Sequence, residues 1–311
     1  MAGSPLAVTA HESDTVAEAD RRVVASAVER DGFAVVEVDA AGKDPLLVLA
    51  DALGRRQLHP RGNRLGIIGS IVGDGGGQEI SPGWRDHLDE YQAVGLKDLG
   101  CHTDGSFMDG PGVGPPALLG LHCVKPADAG GESLLVDGGS LFEAVRRADP
   151  GLLRELFRPQ FTFCRDELVA VDQPVFRHRG STAVSVRWRF DKAVYGTKRA
   201  LEALRAFHDT YVSRATAAEV ALQAGQILVI DNLRMLHARK QSHGARTLRR
   251  AWIADELREP VANLTDRDTH PRAYRLFDFY QPLPDRRRQM PPGMTLGAKV
   301  TLDDALAAPQ G

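Results

Sequence analysis

Cysteine is scarce in this chain, and its three residues form no metal-binding or disulfide pattern. Cys101, Cys123 and Cys164 are odd in number and are not spaced as C-x-x-C. This argues against a disulfide framework and a zinc ribbon, and it predicts reduced thiols. Long apolar runs are also missing, and the N-terminus has no basic segment followed by an apolar one. We therefore expect a cytoplasmic protein without a membrane partner.

Neither sign of charge dominates the chain. It has 39 Lys and Arg residues against 41 Asp and Glu residues, which gives a formal net charge of -2. Nucleic acids and anionic membranes normally require a basic surface, so we expect no nucleic-acid partner. The basic run at 286–288 is interpreted as a solvated surface, whereas "RTLRRAW" at 246–252 is considered below.

The order of short apolar runs predicts a mainly β fold with flanking helices, namely a double-stranded β-helix of the jelly-roll or cupin type. A doubly wound parallel sheet is less favoured, because helices do not alternate regularly with strands and no G-x-G-x-x-G or phosphate-binding loop is present. We expect one catalytic domain over 1–311, with core motifs at about 100–255. The glycine-rich stretch 73–99 is a candidate active-site lid, and 260–311 is a C-terminal extension.

Two local predictions bear on the site. The periodicity of 14–31 predicts a helix that is capped by Ser13 or Asp14 and ended by Gly32. The segment "MLHARKQSHGA" at 235–245 is interpreted as a polar turn between two strands.

Two His-x-Asp pairs are candidate metal ligands, at residues 87–89 and at His102 and Asp104. Residues two apart on a strand point to the same face, so one imidazole and one carboxylate can bind one cation. The pair at 102 and 104 is preferred because it lies in a glycine-rich approach to core segments, whereas the other lies in a highly charged stretch. Among the later histidines we select His237, which follows a buried strand. Two histidines and one carboxylate are the facial ligand set of non-haem Fe(II) oxygenases.

Such a site also requires an anchor for a dicarboxylate, and arginine pairs with carboxylates through two charge-assisted hydrogen bonds. Arg246 and Arg250 follow His237 and are four residues apart in a predicted strand, which places them on one face, with Arg249 on the other.

At this point the chain resembles the taurine dioxygenase superfamily of Fe(II)/2-oxoglutarate oxygenases, with features of the γ-butyrobetaine hydroxylase branch. The resemblance is carried by "HTDGSF", by "LLGLHCVKPADAGGESLLVDG" and by "DNLRMLHARKQSHGARTLRRAWIAD". It implies that His102, Asp104 and His237 bind iron, and that Arg246 holds the distal carboxylate of 2-oxoglutarate.

The resemblance also implies two further contacts. Ser133, where relatives often carry threonine, would add a hydroxyl to the distal carboxylate. Arg250 matches an arginine that lies near the proximal carboxylate or the anionic group of the substrate, although the butyrobetaine branch usually has a small residue there.

The expected function is that of a dioxygenase that uses Fe(II), 2-oxoglutarate and O2 and releases succinate and CO2. Its substrate is expected to be an anionic or zwitterionic small molecule, such as an amino acid or a nucleotide-like intermediate of specialised metabolism. Halogenating relatives replace the carboxylate at Asp104 by a small residue, so hydroxylation, desaturation or bond cleavage is expected here. The alternatives are a zinc hydrolase on the same ligands and a non-catalytic cupin-like binding protein. The protein could also form a homo-oligomer.

Candidate substrate contacts are the aromatic and arginine side chains of the predicted loops and late strands, namely Trp84, Tyr91, Phe107, Arg187 and Trp188. Each also has a plain interpretation as a packing or surface residue.

Overall fold

The computed structural model describes residues 5–9, 16–40, 42–57, 67–72, 99–109, 114–165, 168–179, 183–191, 193–244 and 246–254. The predicted lid, apart from Leu99, and the His-x-Asp pair at 87–89 lie outside these residues, as does the C-terminal extension. Within the described part of the chain, no helix is long and apolar enough to cross a membrane.

The helices of the described residues are α1 (Glu18–Asp31), α2 (Pro45–Leu53), α3 (Gly138–Ala148), α4 (Pro150–Phe157) and α5 (Lys198–Phe207), which a π-helix (His208–Val212) extends. The strands are β1 (Leu6–Thr9), β2 (Phe33–Asp39), β3 (Arg55–Gln57), β4 (Ile67–Val72), β5 (Leu99–His102), β6 (Leu118–Lys125), β7 (Ala129–Gly130), β8 (Ser133–Asp137), β9 (Phe161–Arg165), β10 (Leu168–Gln173), β11 (Phe176–Arg179), β12 (Ala183–Val186), β13 (Val194–Tyr195), β14 (Ala218–Val220), β15 (Gln226–Asp231), β16 (Met235–Arg239), β17 (Ser242–His243) and β18 (Thr247–Ala254).

Two sheets contain most of these strands. In the described residues, the larger has the order β1-β2-β15-β6-β18-β3, with β4 also pairing with β18, and the smaller has the order β14-β8-β16-β5. Strand β1 runs parallel to β2, whereas β6 is antiparallel to both β15 and β18. Smaller pairings join β10-β9-β13, β11-β12 and β17-β7.

The chain forms two compact units, each built from separate stretches of sequence. The first comprises the described residues up to Gly100, Pro116–Val136 and those from Ala217 onward. Its apolar core lies where α1 and α2 pack on the larger sheet, with Val24, Leu46 and Val229 among its buried members. Burial of this apolar surface is the main force that holds the two helices on the sheet.

The start of α1 differs from the prediction. The helix begins at Glu18 behind Ala17, whose side chain makes no capping hydrogen bond. Glu18 instead pairs with Arg21 and Arg22 at 2.6 and 2.8 Å, and its charge lies at the positive end of the helix dipole. The predicted cap at Ser13 or Asp14 is therefore wrong, whereas the predicted end at Gly32 is confirmed by its left-handed φ of 83°.

The second unit contains Cys101–Pro115 and Asp137–Thr216 among its described residues. Aromatic side chains form its core: Phe176 contacts Phe142 and Phe207 edge-on at centroid distances of 5.7 and 5.5 Å. Trp188 meets Phe207 at 5.0 Å. Strand β12 ends at Val186. Arg187 and Trp188 follow it outside any strand and make the interactions described below.

Two predictions about the segment after residue 230 are corrected by the structure. Residues 235–239 form strand β16, and all five are buried, so the predicted polar turn begins only after Arg239. A strand buried on both faces shows no polar alternation, which is why the pattern was missed. Arg246 precedes β18, and the pairing of β18 shifts register between Thr247 and Leu248. Such a bulge breaks strict alternation, so spacing alone does not place Arg246 and Arg250 on one face.

Candidate metal and co-substrate site

The three predicted metal ligands come together in the structure. His102, Asp104 and His237 each offer one ligand atom, and these atoms all lie within 4.8 Å of one another. The residues are 8%, 5% and 6% exposed. Nε2 of His102 lies 3.5 Å from Oδ1 of Asp104. Two imidazoles and a carboxylate at this separation fit a divalent transition metal. Among the described residues, these three form the one group of His, Cys, Asp or Glu side chains close enough together to hold a metal ion.

Two neighbouring strands and one turn position the three side chains. His102 is the last residue of β5, which lies next to β16 in the four-stranded sheet, and His237 is the central residue of β16. Asp104 lies in the turn that follows β5. Gly105 has a φ of 66°, a region that favours glycine, and its carbonyl accepts a hydrogen bond of 2.8 Å from the Met108 amide. The turn therefore bends the chain immediately after the Asp104 carboxylate.

Arg246 is a buried guanidinium, 6% exposed. Its pKa is lowered to about 10, first by burial and then by the neighbouring charge of Arg239, while Cys123 and Glu132 act in the opposite direction. A cation that is removed from water and lies near another cation is stabilised by an anion. This environment fits the carboxylate of a co-substrate.

Gly131 allows the backbone to approach the Arg246 side chain closely. A Cβ at Gly131 would lie 3.3 Å from both Cδ and Nε of Arg246, and the residue has a φ of 78°. A cavity of about 230 Å³ adjoins the same side chain, and its lining includes Cys123, Asp128 and Glu132. The guanidinium thus borders a space formed by the turn that precedes β8.

Ser133 and Arg250, the other two predicted co-substrate contacts, lie on separate strands. Ser133 is the buried first residue of β8 and pairs with Val220 of β14. Arg250 lies in β18, opposite Leu121 of β6, and is half-buried. Their roles toward 2-oxoglutarate stay predictions.

The family model for the taurine catabolism dioxygenase TauD, TfdA family matches residues 4–252. The chain belongs to this family. Among curated proteins it is similar to a uridine-5'-phosphate dioxygenase from Streptomyces sp, with 31% identity over 152 residues. That alignment covers 45% of this chain and 54% of the relative, so it spans about half the relative's length.

Solved structures of oxygenases share the fold of this TauD, TfdA family member. Asparagine oxygenase in complex with Fe(II), 2S,3S-3-hydroxyasparagine and succinate matches with a TM-score of 0.57 and 19% identity, covering 80% of this chain and 94% of that chain. AAD-2 in complex with Mn(II) and N-oxalylglycine gives a TM-score of 0.59 and 17% identity, with coverages of 84% and 98%. These matches confirm the predicted double-stranded β-helix with flanking helices.

Arg239 and Gly131 were not predicted as site residues, although both lie in the family-like blocks quoted above. Arg239 is two residues after His237 in β16, so the two side chains share a face of that strand. Recognition of β16 as a strand would have placed Arg239 beside the site. Gly131 could have been found from the Gly-Gly pair before Ser133, since such pairs occur where another group approaches the backbone.

The histidines set aside by sequence reasoning have other environments. His178 stacks on Phe157 with ring centroids 4.8 Å apart, and His208 stacks on Phe190 at 3.9 Å. His122 is buried, as expected of a core residue, but its Nδ1 has no hydrogen-bond partner among the described atoms. Its pKa is lowered, first by burial and then by Arg249.

Three of the five candidate substrate contacts fall on described residues, and all three are buried. Phe107 is 3% exposed and Trp188 is completely buried, which supports the packing interpretation for both. Arg187 is directed at the backbone of the turn after Asp104. Trp84 and Tyr91 lie outside the described residues.

Proposed function

We propose that this protein is an Fe(II)/2-oxoglutarate-dependent dioxygenase that oxidises an anionic or zwitterionic small molecule. The single observation that carries the proposal is the convergence of His102, Asp104 and His237 at one buried point. Membership of the TauD, TfdA family gives that ligand set its chemistry.

His102, Asp104 and His237 would hold Fe(II) through two imidazole nitrogens and one carboxylate oxygen. Three ligands on one face leave the remaining positions for co-substrate and oxygen. When bound, the iron supplies oxidative decarboxylation of 2-oxoglutarate to succinate and CO2, coupled to oxidation of the substrate. The chain itself supplies ligand geometry and a site largely closed to water, because all three ligands are buried.

Arg246 would hold the distal carboxylate of 2-oxoglutarate. Its buried guanidinium has the planar geometry that pairs with a carboxylate through two hydrogen bonds. We place Ser133 as a second donor to that carboxylate, and Arg250 near the proximal carboxylate or an anionic group of the substrate. Arg239 adds positive charge near Arg246 and so favours a dianion over a monoanion at this position.

The substrate class is proposed from chemistry that the relatives share. The curated relative is named for uridine-5'-phosphate, and one structural neighbour is named for asparagine. Both compounds carry an anionic group and are small. The carboxylate at Asp104 favours oxygenation over halogenation. A single catalytic domain, a cytoplasmic location and a homo-oligomer stay predictions.

The two alternatives account for fewer of the observations. A zinc hydrolase could use the same three ligands, but it has no use for a buried arginine that fits a dicarboxylate. A non-catalytic cupin-like protein would not require a metal ligand set at all. Neither alternative is supported by the family match.

The proposal is tested by adding Fe(II) and 2-oxoglutarate to the purified protein without oxygen. We expect a weak visible charge-transfer band, which the co-substrate chelated to Fe(II) produces and which neither alternative predicts. His102→Ala should abolish the band, whereas His87→Ala in the other His-x-Asp pair should retain it. With oxygen, succinate should form in the wild type. A wild-type protein that binds Fe(II) but shows neither band nor succinate would refute the proposal.

A further inference from the structure

The segment from His102 to Asp109, here called the ligand loop, carries two of the three proposed metal ligands. Beyond the end of β5 at His102 it has no regular secondary structure. A loop of this kind holds a precise shape only where other residues bind its backbone. Two consecutive residues, Arg187 and Trp188, form hydrogen bonds with the ligand loop at two points.

The first point lies between the two ligands, at Thr103. Its amide donates a hydrogen bond of 2.9 Å to the carbonyl of Trp188, and the Trp188 amide donates one of 2.9 Å to the Thr103 hydroxyl oxygen. Thr103 is 1% exposed, and Trp188 is completely buried. The backbone between His102 and Asp104 is thus tied to a buried residue 85 positions later.

The second point lies just after Asp104. Nη1 of Arg187 donates a hydrogen bond of 2.9 Å to the carbonyl of Ser106. Arg187 is 7% exposed, and Ser106 is completely buried. Asp104 therefore lies between two fixed backbone points, and both are provided by residues 187 and 188.

A polar network of buried and half-buried side chains lies around the Arg187 guanidinium. The side-chain amide nitrogen of Gln173 donates a hydrogen bond of 3.1 Å to the carboxylate of Asp109, at the end of the ligand loop. Arg177 in turn donates a hydrogen bond to the side-chain oxygen of Gln173. The pKa of Arg187 is lowered to about 9, first by burial and then by the charge of Arg177, while Asp109 opposes both effects. Two cations thus share one carboxylate in a desolvated region, which is an expensive arrangement for stability alone.

An apolar side chain would fill the space of Arg187 without this cost, so a contribution to stability does not account for the charge. We propose that Arg187 is a positioning residue for the metal centre: by holding the Ser106 carbonyl, it fixes the ligand loop so that the Asp104 carboxylate faces the metal. The inference rests on the proposed metal site and adds to it a residue that does not touch the metal, the co-substrate or the substrate.

The test measures Mn(II) binding to the metal-free full-length protein, using the electron paramagnetic resonance signal of free Mn(II) and no co-substrate. Arg187→Met should weaken binding by about 10–100-fold, the usual effect of losing a group that orients a metal ligand. Arg187→Lys keeps a cation and one donor, so it should recover part of the affinity. Arg199→Met is the matched control, since Arg199 makes an exposed ion pair with Glu155 on the same compact unit. It should bind Mn(II) like the wild type.

A second comparison distinguishes a specific effect on metal binding from a general loss of stability. Leu156→Ala removes a fully buried apolar side chain from the same unit without touching the ligand loop. It should lower the melting temperature and leave Mn(II) affinity unchanged. If Arg187→Met fails to fold, Thr103→Val, which removes the hydroxyl of the other fixed point while keeping its shape, should weaken Mn(II) binding in its place.

Arg187→Met that folds and binds Mn(II) as tightly as the wild type would overturn the inference, as would an equal loss of affinity in Leu156→Ala. His102→Ala distinguishes this failure from failure of the proposed function. If His102→Ala also binds Mn(II) normally, the metal site itself is wrong. If His102→Ala loses Mn(II) and Arg187→Met does not, only the role of Arg187 is wrong.

Discussion

Replacement of Arg246 by methionine should change co-substrate binding and protein stability in opposite directions. A hydrogen bond to a charged group contributes about 1.5–3 kcal/mol, so loss of two parallel bonds to a carboxylate costs about 3–6 kcal/mol. This corresponds to weaker 2-oxoglutarate binding by about 10²–10⁴-fold. Because Ser133 is proposed to donate to the same carboxylate, we expect the lower end, about a hundredfold.

Without co-substrate, the charged Arg246 side chain destabilises the folded protein. The lowering of the Arg246 pKa from its ordinary value to about 10 corresponds to a cost on the order of 3 kcal/mol for keeping the guanidinium charged in the folded protein. The unfolded chain binds this proton more tightly than the folded protein does, so the penalty is fully present below about pH 10 and disappears as pH rises toward the ordinary pKa of arginine. At neutral pH, Arg246→Met should therefore melt no lower than the wild type when no co-substrate is present.

The assay combines thermal unfolding of the protein free of ligand with a 2-oxoglutarate titration of the anaerobic Fe(II) complex. Arg249→Met, three residues later in β18, is the matched control, because Arg249 forms an ion pair with Asp44 at the start of α2. It should leave 2-oxoglutarate affinity unchanged and lower the melting temperature slightly. An Arg246→Met protein with wild-type 2-oxoglutarate affinity would refute the role of this arginine in binding the co-substrate. A large loss of stability in the same variant would refute the conclusion that its buried charge destabilises the folded protein.

Further outcomes follow from the same site. Gly131→Ala should raise the KM for 2-oxoglutarate more than it lowers kcat, because the added Cβ would lie 3.3 Å from the Arg246 side chain. Steady-state constants equal to those of the wild type would contradict this. Gly42→Ala controls for backbone strain, because Gly42 is a left-handed glycine with open space around it. Cys101 and Cys123 should react slowly with iodoacetamide at neutral pH, since burial raises the pKa of both thiols. Mass spectrometry compares alkylation of the folded protein with that of the urea-unfolded chain, and rapid alkylation of the folded protein would show that the thiols are not protected. Asp104→Ala should lose Mn(II) binding along with all succinate formation, and retention of tight binding would exclude this carboxylate as a ligand.

Local signals account for one end of each of the helices α1 and α2. Asp44 and Pro45 begin α2, where the Asp44 side chain accepts hydrogen bonds from the amides of Leu46 and Leu47. Gly32 ends α1 because it adopts the left-handed conformation that most residues avoid. These features depend on a few adjacent residues and on their intrinsic backbone preferences, so the sequence alone is sufficient to predict them.

The spacing of His102 and Asp104, together with the quoted blocks around them, was likewise sufficient to select the three side chains that the structure brings together. The sequence did not reveal that His237 lies inside a strand, because β16 is buried on both faces and has no alternating pattern. The bulge in β18 was also invisible, since it arises from how that strand pairs with its neighbours.

Sequence by itself determined which side chains could bind a metal and a dicarboxylate, because residue type and short-range spacing define the available chemistry. Tertiary structure alone decided how those groups are held and charged. The Ser106 carbonyl meets Arg187 across 81 residues of sequence, and the pKa of Arg246 depends on burial and on Arg239 beside it. Both properties come from distances in space between groups that folding brings together, and no local pattern of residues encodes those distances.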